Sequence, residues 1–118
     1  MTSHTRQLAE FAVNLKLSDV PPEVVARAKS VILDGLGCGL FGVHLKWTEI
    51  LSGVVQRIEP QGGVASIWGG AMTASPASAA LVNGTMIQGY ELDDANPASM
   101  HSCAAVLPAV FAAAELMG

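Results

Sequence analysis

The 118-residue chain is 51% hydrophobic and 14% charged, which suits one globular domain and excludes a disordered tail or a collagen-like repeat. Its 6 basic and 10 acidic residues fall well short of the ~30 charges usual at this length, so part of the surface is expected to be covered by other protein. The formal net charge is −4, and no Lys or Arg follows Arg57, which leaves a nucleic-acid backbone or an anionic membrane surface nothing to bind. The longest run free of polar residues covers positions 103–114 and contains Pro108, against the roughly 20 residues a membrane span needs. Cys38 and Cys103 belong to no C-x-x-C pair and read as two buried thiols. No apolar signal-peptide core follows Met1, and the expected compartment is a reducing cytoplasm.

Leu8, Phe11, Ala12 and Leu15 recur at i, i+3, i+4 and i+7, which predicts a first amphipathic helix over 5–16. Pro21 and Pro22 break it and open a second, with Glu23 in the first turn suiting the positive end of the dipole. Val24, Ala28, Val31, Ile32 and Leu36 are its expected core positions, and the pattern dissolves in glycine near residue 42. A third helix is predicted from an N-cap at Thr48, through Ile50, Val54, Val55 and Ile58, to Pro60. Positions 64–73, centred on the stretch from Val64 to Trp68 and bounded by glycines, read as a short strand or hairpin. Ser75-Pro76 starts a fourth helix running to about Tyr90, and a fifth begins near Ser102. The fold class expected is all-α: a bundle of about five helices that is part of a larger helical domain. The last helix is apolar on nearly every side, as a helix inside something larger would be.

Gly37-Cys38-Gly39-Leu40-Phe41-Gly42 spells G-x-G-x-x-G, but it ends a helical segment where a dinucleotide fingerprint needs a strand before it and a helix after it. Gly35 and Gly39 share a helix face, and close helix packing explains them more simply. Residues 91–101 differ in kind. Glu91, Asp93 and Asp94, then Asn96 and Pro97, then His101, concentrate ionisable groups in a half of the chain that has almost none. Crowded like charges and burial are how proteins turn carboxylates into proton donors or acceptors near neutral pH. Continuation of the fourth helix this far would put Glu91 and Asp94 on one face. A solvated loop of helix-capping acids is the plain alternative. His101 stands at the start of the last helix, where the dipole favours a neutral ring and nearby carboxylates favour a charged one. An EF-hand starting at Asp94 fails at its sixth and twelfth positions, Ser99 and Ala105. A looser Mg²⁺ or Mn²⁺ site from Asp93, Asp94 and His101 is a further alternative.

Several collinear blocks carry a resemblance over the whole chain. They are Leu8-Ala9-Glu10-Phe11, Val20-Pro21-Pro22-Glu23-Val24, Leu33-Asp34-Gly35-Leu36-Gly37-Cys38, Ser78-Ala79-Ala80-Leu81-Val82-Asn83-Gly84, Glu91-Leu92-Asp93-Asp94, and His101 followed by Leu107-Pro108-Ala109. Their order and spacing resemble the N-terminal part of the MmgE/PrpD family, which includes 2-methylcitrate dehydratase and cis-aconitate decarboxylase. The resemblance implies a homodimeric lyase or isomerase with a large helical domain and a smaller α+β lid. It would act on small polycarboxylic acids without metal or organic cofactor. Residues 1–118 would then be the first part of the helical domain, without the lid. It also implies that His101 is a proton donor or acceptor at the substrate, and that Glu91, Asp93 and Asp94 belong to the same site. Glu91 takes the place of an aspartate in the decarboxylases. Ala95 and Ser102 stand where many members have Thr and Pro, which turns the expectation towards a dehydratase of 2-methylcitrate type ahead of a decarboxylase. Further catalytic His and Lys residues would lie past Gly118. The competing expectation is non-enzymatic: a truncated helical module that associates through its apolar surface with a partner or with itself.

Overall fold

The computed structural model describes residues 3–97 and 100–118, which form five α-helices and one two-stranded hairpin. They fall into two units, Met1–Ser30 and Val31–Gly118. The first holds α1 (His4–Asn14), a 3-10 turn at Leu17–Asp19 and the start of α2 (Pro22–Phe41). The helix predicted over 5–16 ends early, because the Asn14 side chain donates to the Glu10 carbonyl at 2.7 Å and Leu15 is already extended. No residue of α1 is buried; Leu8, Phe11 and Leu15, the expected core stripe, are exposed.

The second unit comprises the rest of α2, a 3-10 turn at Gly42–His44, α3 (Lys46–Ile58), β1 (Ala65–Ser66), β2 (Thr73–Ala74), α4 (Pro76–Gln88) and α5 (Ser102–Met117). The buried face of α2 is made by Gly35 and Gly39, whereas Val24 and Ile32 are exposed, contrary to the expected core list. A methyl group at Gly35 would run into Cys103 Sγ, and one at Gly39 would come within 2.8 Å of the Trp68 ring. Close approach therefore accounts for these glycines, and the G-x-G-x-x-G string lies in helix and 3-10 turn, with no strand before it among the described residues.

Thr48 is not the cap of α3. The helix starts at Lys46 after Leu45, and the buried Thr48 hydroxyl donates to the Gly42 carbonyl at 3.0 Å, tying the preceding turn to the helix. Val55 points inward, but Ile50, Val54 and Ile58 are exposed. The expected hairpin is present, with Ala65 opposite Ala74 and Ser66 opposite Thr73 in antiparallel register. Two-residue strands need outside support, and three polar side chains supply it. Asn83, buried in α4, accepts from the Trp68 amide at 3.0 Å and donates to the Ser66 carbonyl at 2.9 Å. Glu115 of α5 accepts from the Ser66 amide and hydroxyl at 2.8 and 2.6 Å. Glu59 accepts from the Ser75 amide at 2.6 Å and from the hydroxyls of Ser75 and Ser78 at 2.9 and 2.5 Å.

Ser75 caps α4 as predicted, its hydroxyl accepting from the Ser78 amide with Pro76 in the first turn. Val82 and Met86 of α4 pack with Val55, Ile67 and Ala112, while Ile87 packs with Cys103 and Leu107. Pro108 lies inside α5 and has no amide to offer the Ala104 carbonyl four residues earlier. That carbonyl faces Gly84, where an added methyl would come within 2.8 Å of it, so α4 and α5 meet closely there. Among the described residues no helix is long and apolar enough to cross a membrane.

Candidate functional site

α4 ends at Gln88, so the fourth helix does not carry Glu91 and Asp94 on one face. The chain turns into a loop in which Glu91 has φ 52° and Met100 φ 53°, both in the left-handed region that non-glycine residues seldom adopt. Asn96 and Met100 pair through main-chain bonds of 3.1 and 2.9 Å, closing the loop back onto the start of α5. Positions 98 and 99 of this acid-rich segment, Ser99 of the EF-hand comparison included, lie outside the described residues, as do Met1 and Thr2.

His101 is the N-cap residue of α5 but its ring makes no capping bond. Nδ1 instead meets Asp93 Oδ1 at 3.0 Å. The Asp93 side chain is fully buried and that of His101 is 20% exposed. The second Asp93 oxygen accepts from the Ala104 amide at 3.3 Å. The Nδ1–H tautomer of the ring suits this contact, the carboxylate accepting from it, and Nε2 then stands outside the contact. Asp94 turns to the helix end: Oδ1 accepts from the Cys103 amide at 2.6 Å and Oδ2 from the Ser102 hydroxyl at 2.7 Å. Ser102 in turn accepts from the Asn96 side-chain amide at 3.3 Å.

His101 and Glu91 both line an open groove of about 960 Å³, together with Trp47, Leu81, Gln88 and Tyr90 among others. Asp93 and Asp94 do not line it, so the structure brings His101 and Asp93 into contact, sets Glu91 on the groove wall and places Asp94 behind. Glu91 is exposed. The groove residues Trp47, Thr85, Gln88 and Tyr90 were not read as site residues from sequence. The available signal was Gln88-Gly89-Tyr90 directly before the first acid, polar and aromatic groups in an otherwise alanine-rich stretch.

Burial pushes the Cys103 thiol up to about 11, with Asp94, Asp93, Asp34 and Cys38 adding to it in that order. The thiol donates to the Val31 carbonyl at 3.7 Å. Cys38 is raised too, by burial first and then by Asp34 and Asp93. Both thiols are thus held towards the protonated form. Of the two thiols expected to be buried, Cys103 is buried and Cys38 only partly so. No group of three or more His, Cys, Asp or Glu side chains among the described residues is placed to hold a metal ion, so Asp93, Asp94 and His101 do not form the divalent-cation site considered above.

A buried carboxylate beside a histidine at the rim of a groove is an arrangement chemically able to transfer a proton. The MmgE/PrpD N-terminal domain model matches residues 6–118, and the chain belongs to that family. It is 42% identical to a cis-aconitate decarboxylase-like protein of Aspergillus oryzae over 95% of its own length and 23% of the relative's. It is 40% identical to a cis-aconitate decarboxylase of Aspergillus terreus over 96% of its length and 23% of the relative's. With the Homo sapiens cis-aconitate decarboxylase it shares 31% identity over 99% of its length and 24% of the relative's. The chain therefore spans about a quarter of the length of these curated relatives.

Proposed function

We propose that the chain is the N-terminal, helical part of a lyase that acts on small polycarboxylic acids by proton transfer, with cis-aconitate as the first substrate to test. The observation that carries this reading is the bond from His101 Nδ1 to the buried Asp93 at the edge of the groove. A lyase of this kind breaks a C–C or C–O bond and moves a proton onto or off a neighbouring carbon. His101 Nε2 is the group held ready to carry it, with Asp93 fixing the tautomer and the ring orientation. Glu91 is the carboxylate on the groove wall, next to the phenol of Tyr90.

The relatives' names turn the reading from the 2-methylcitrate dehydratase type expected at first towards decarboxylation. Among the described residues none of those lining the groove is Lys or Arg. Unit charges of like sign at 4 Å repel by about 4 kcal/mol at an effective dielectric of 20, so a polycarboxylate needs cations from the remainder of the enzyme. Residues 1–118 alone are expected to be inactive.

In the full-length protein, His101→Ala is expected to lower turnover by about 10²–10⁴-fold. Release of CO₂ from cis-aconitate, measured beside dehydration of 2-methylcitrate, decides between the two chemistries. Undiminished turnover in His101→Ala would remove the role assigned to this residue.

A further inference from the structure

Resting on the reading of His101 as the proton carrier, we infer that Asp94 is a positioning residue whose capping of α5 keeps the imidazole free for the groove, and that it is not itself a proton donor or acceptor.

An N-cap residue ordinarily turns its side chain back onto the amides of the second or third helical residue. In α5 that residue is His101, and the amides in question are those of Cys103 and Ala104. Both are already occupied, Cys103 by Asp94 at 2.6 Å and Ala104 by Asp93 at 3.3 Å. The loop acids have taken over the capping and the ring is released from it. Of the two bonds the one to Asp94 is much the shorter, and its other oxygen is held by Ser102 at 2.7 Å. Both Asp94 oxygens are thus committed to the helix end, and Asp94 does not line the groove. Without Asp94 the Cys103 amide loses its acceptor, and Asp93, which already accepts from the next amide, that of Ala104, is drawn further towards the helix end. That movement displaces Oδ1, the atom that holds His101.

An amide can do what Asp94 does, since its oxygen accepts from the Cys103 amide and its NH₂ donates to the Ser102 hydroxyl. It cannot carry a proton in catalysis. Asp94→Asn in the full-length protein is therefore expected to keep kcat on cis-aconitate within about threefold, whereas Asp94→Ala loses about 10²-fold, the scale of a misplaced catalytic group. Ser102→Ala, which keeps the carboxylate but removes one of its anchors, is expected to fall between them. The second readout is the ¹⁵N spectrum of the His101 ring, which reports the share of the Nδ1–H tautomer without any substrate. That share should be unchanged in Asp94→Asn and reduced in Asp94→Ala.

Equal loss of activity in Asp94→Asn and Asp94→Ala would overturn the inference, because the charge itself would then be needed. So would an unaltered His101 spectrum in a folded Asp94→Ala. Should Asp94→Ala not fold, Asp94→Asn and Ser102→Ala carry the same comparison. If the wild-type enzyme does not act on cis-aconitate, the proposed function fails, and the ring spectra still decide the positioning role separately.

Discussion

Gly37 and Gly39 lie two residues apart in α2, and the same substitution should stabilise at the first and not at the second. Alanine in place of glycine gains about 1 kcal/mol of helix propensity at either position. A methyl group at Gly37 meets nothing within 4 Å, so the gain stands. At Gly39 it meets Trp68 Cε3 and Cζ3 at 2.8 Å and Ile87 Cγ1 at 3.3 Å. The indole has little room to retreat, since its main-chain amide is held by Asn83 at 3.0 Å and its ring packs edge-on to Phe111 at 5.9 Å between centroids. Overpacking of this kind costs about 1–3 kcal/mol. The propensity term cancels between the two variants, and their difference isolates the packing cost. At about 4 °C per kcal/mol, Gly37→Ala should melt above wild type and about 4–12 °C above Gly39→Ala. Thermal melts followed by far-UV circular dichroism give the difference, and Trp68 fluorescence should shift only in Gly39→Ala. A Gly39→Ala variant melting at or above Gly37→Ala would refute the contact and with it the packing of α2 on the hairpin.

Two predictions concern pH. The Ser75 amide, then the hydroxyls of Ser78 and Ser75, hold the Glu59 carboxyl below its ordinary value of 4.5. Its contribution is thus present above pH 4.5 and lost as pH falls through the lower folded value. Glu59→Gln should melt below wild type at neutral pH, and the gap should close under acid; a gap independent of pH would show that the charge is not what matters. For Cys103 the sign is reversed. Its thiol is raised from 9.0 to about 11, so the folded state keeps a proton the unfolded chain has lost. The Cys103 contribution is full below pH 9.0 and declines towards about 11, which urea midpoints in wild type and Cys103→Ala should show as a shallower alkaline limb in the variant.

The helices were largely legible because periodicity and breakers act locally. Ser75-Pro76 marked the start of α4, and the starts of α2 and α5 followed from Pro22 and Ser102. Thr48 misled because a hydroxyl near a helix start can cap forward or reach back, and only the folded turn presents the Gly42 carbonyl to it. The core list for α2 held at Val31, which packs against the core, but missed elsewhere for a related reason: apolar side chains suggest burial, whereas the closest contacts are made at Gly35 and Gly39, which have none. Within the site, crowding of Glu91, Asp93, Asp94 and His101 was plain in the sequence, yet their distinct placements were not. Asp93 and Asp94 are neighbours of identical chemistry, and a turn of the loop sends one to the imidazole and the other to the helix amides. The groove was invisible for the same reason, since Trp47 and Tyr90 come together only through the tertiary fold.

Asn83 gives the protein a chemical clock. It precedes Gly84, the pairing in which an asparagine side chain is most readily attacked by the following amide and converted to an acid. Inside α4 that amide is committed to the helix, so conversion waits on local opening. When it occurs, the donor that met the Ser66 carbonyl at 2.9 Å is replaced by an oxygen, two acceptors face each other in a buried place, and the hairpin loses one of its ties to the helix. Chemical ageing at this position would therefore weaken the support of the smallest sheet, away from His101 and the acids beside it.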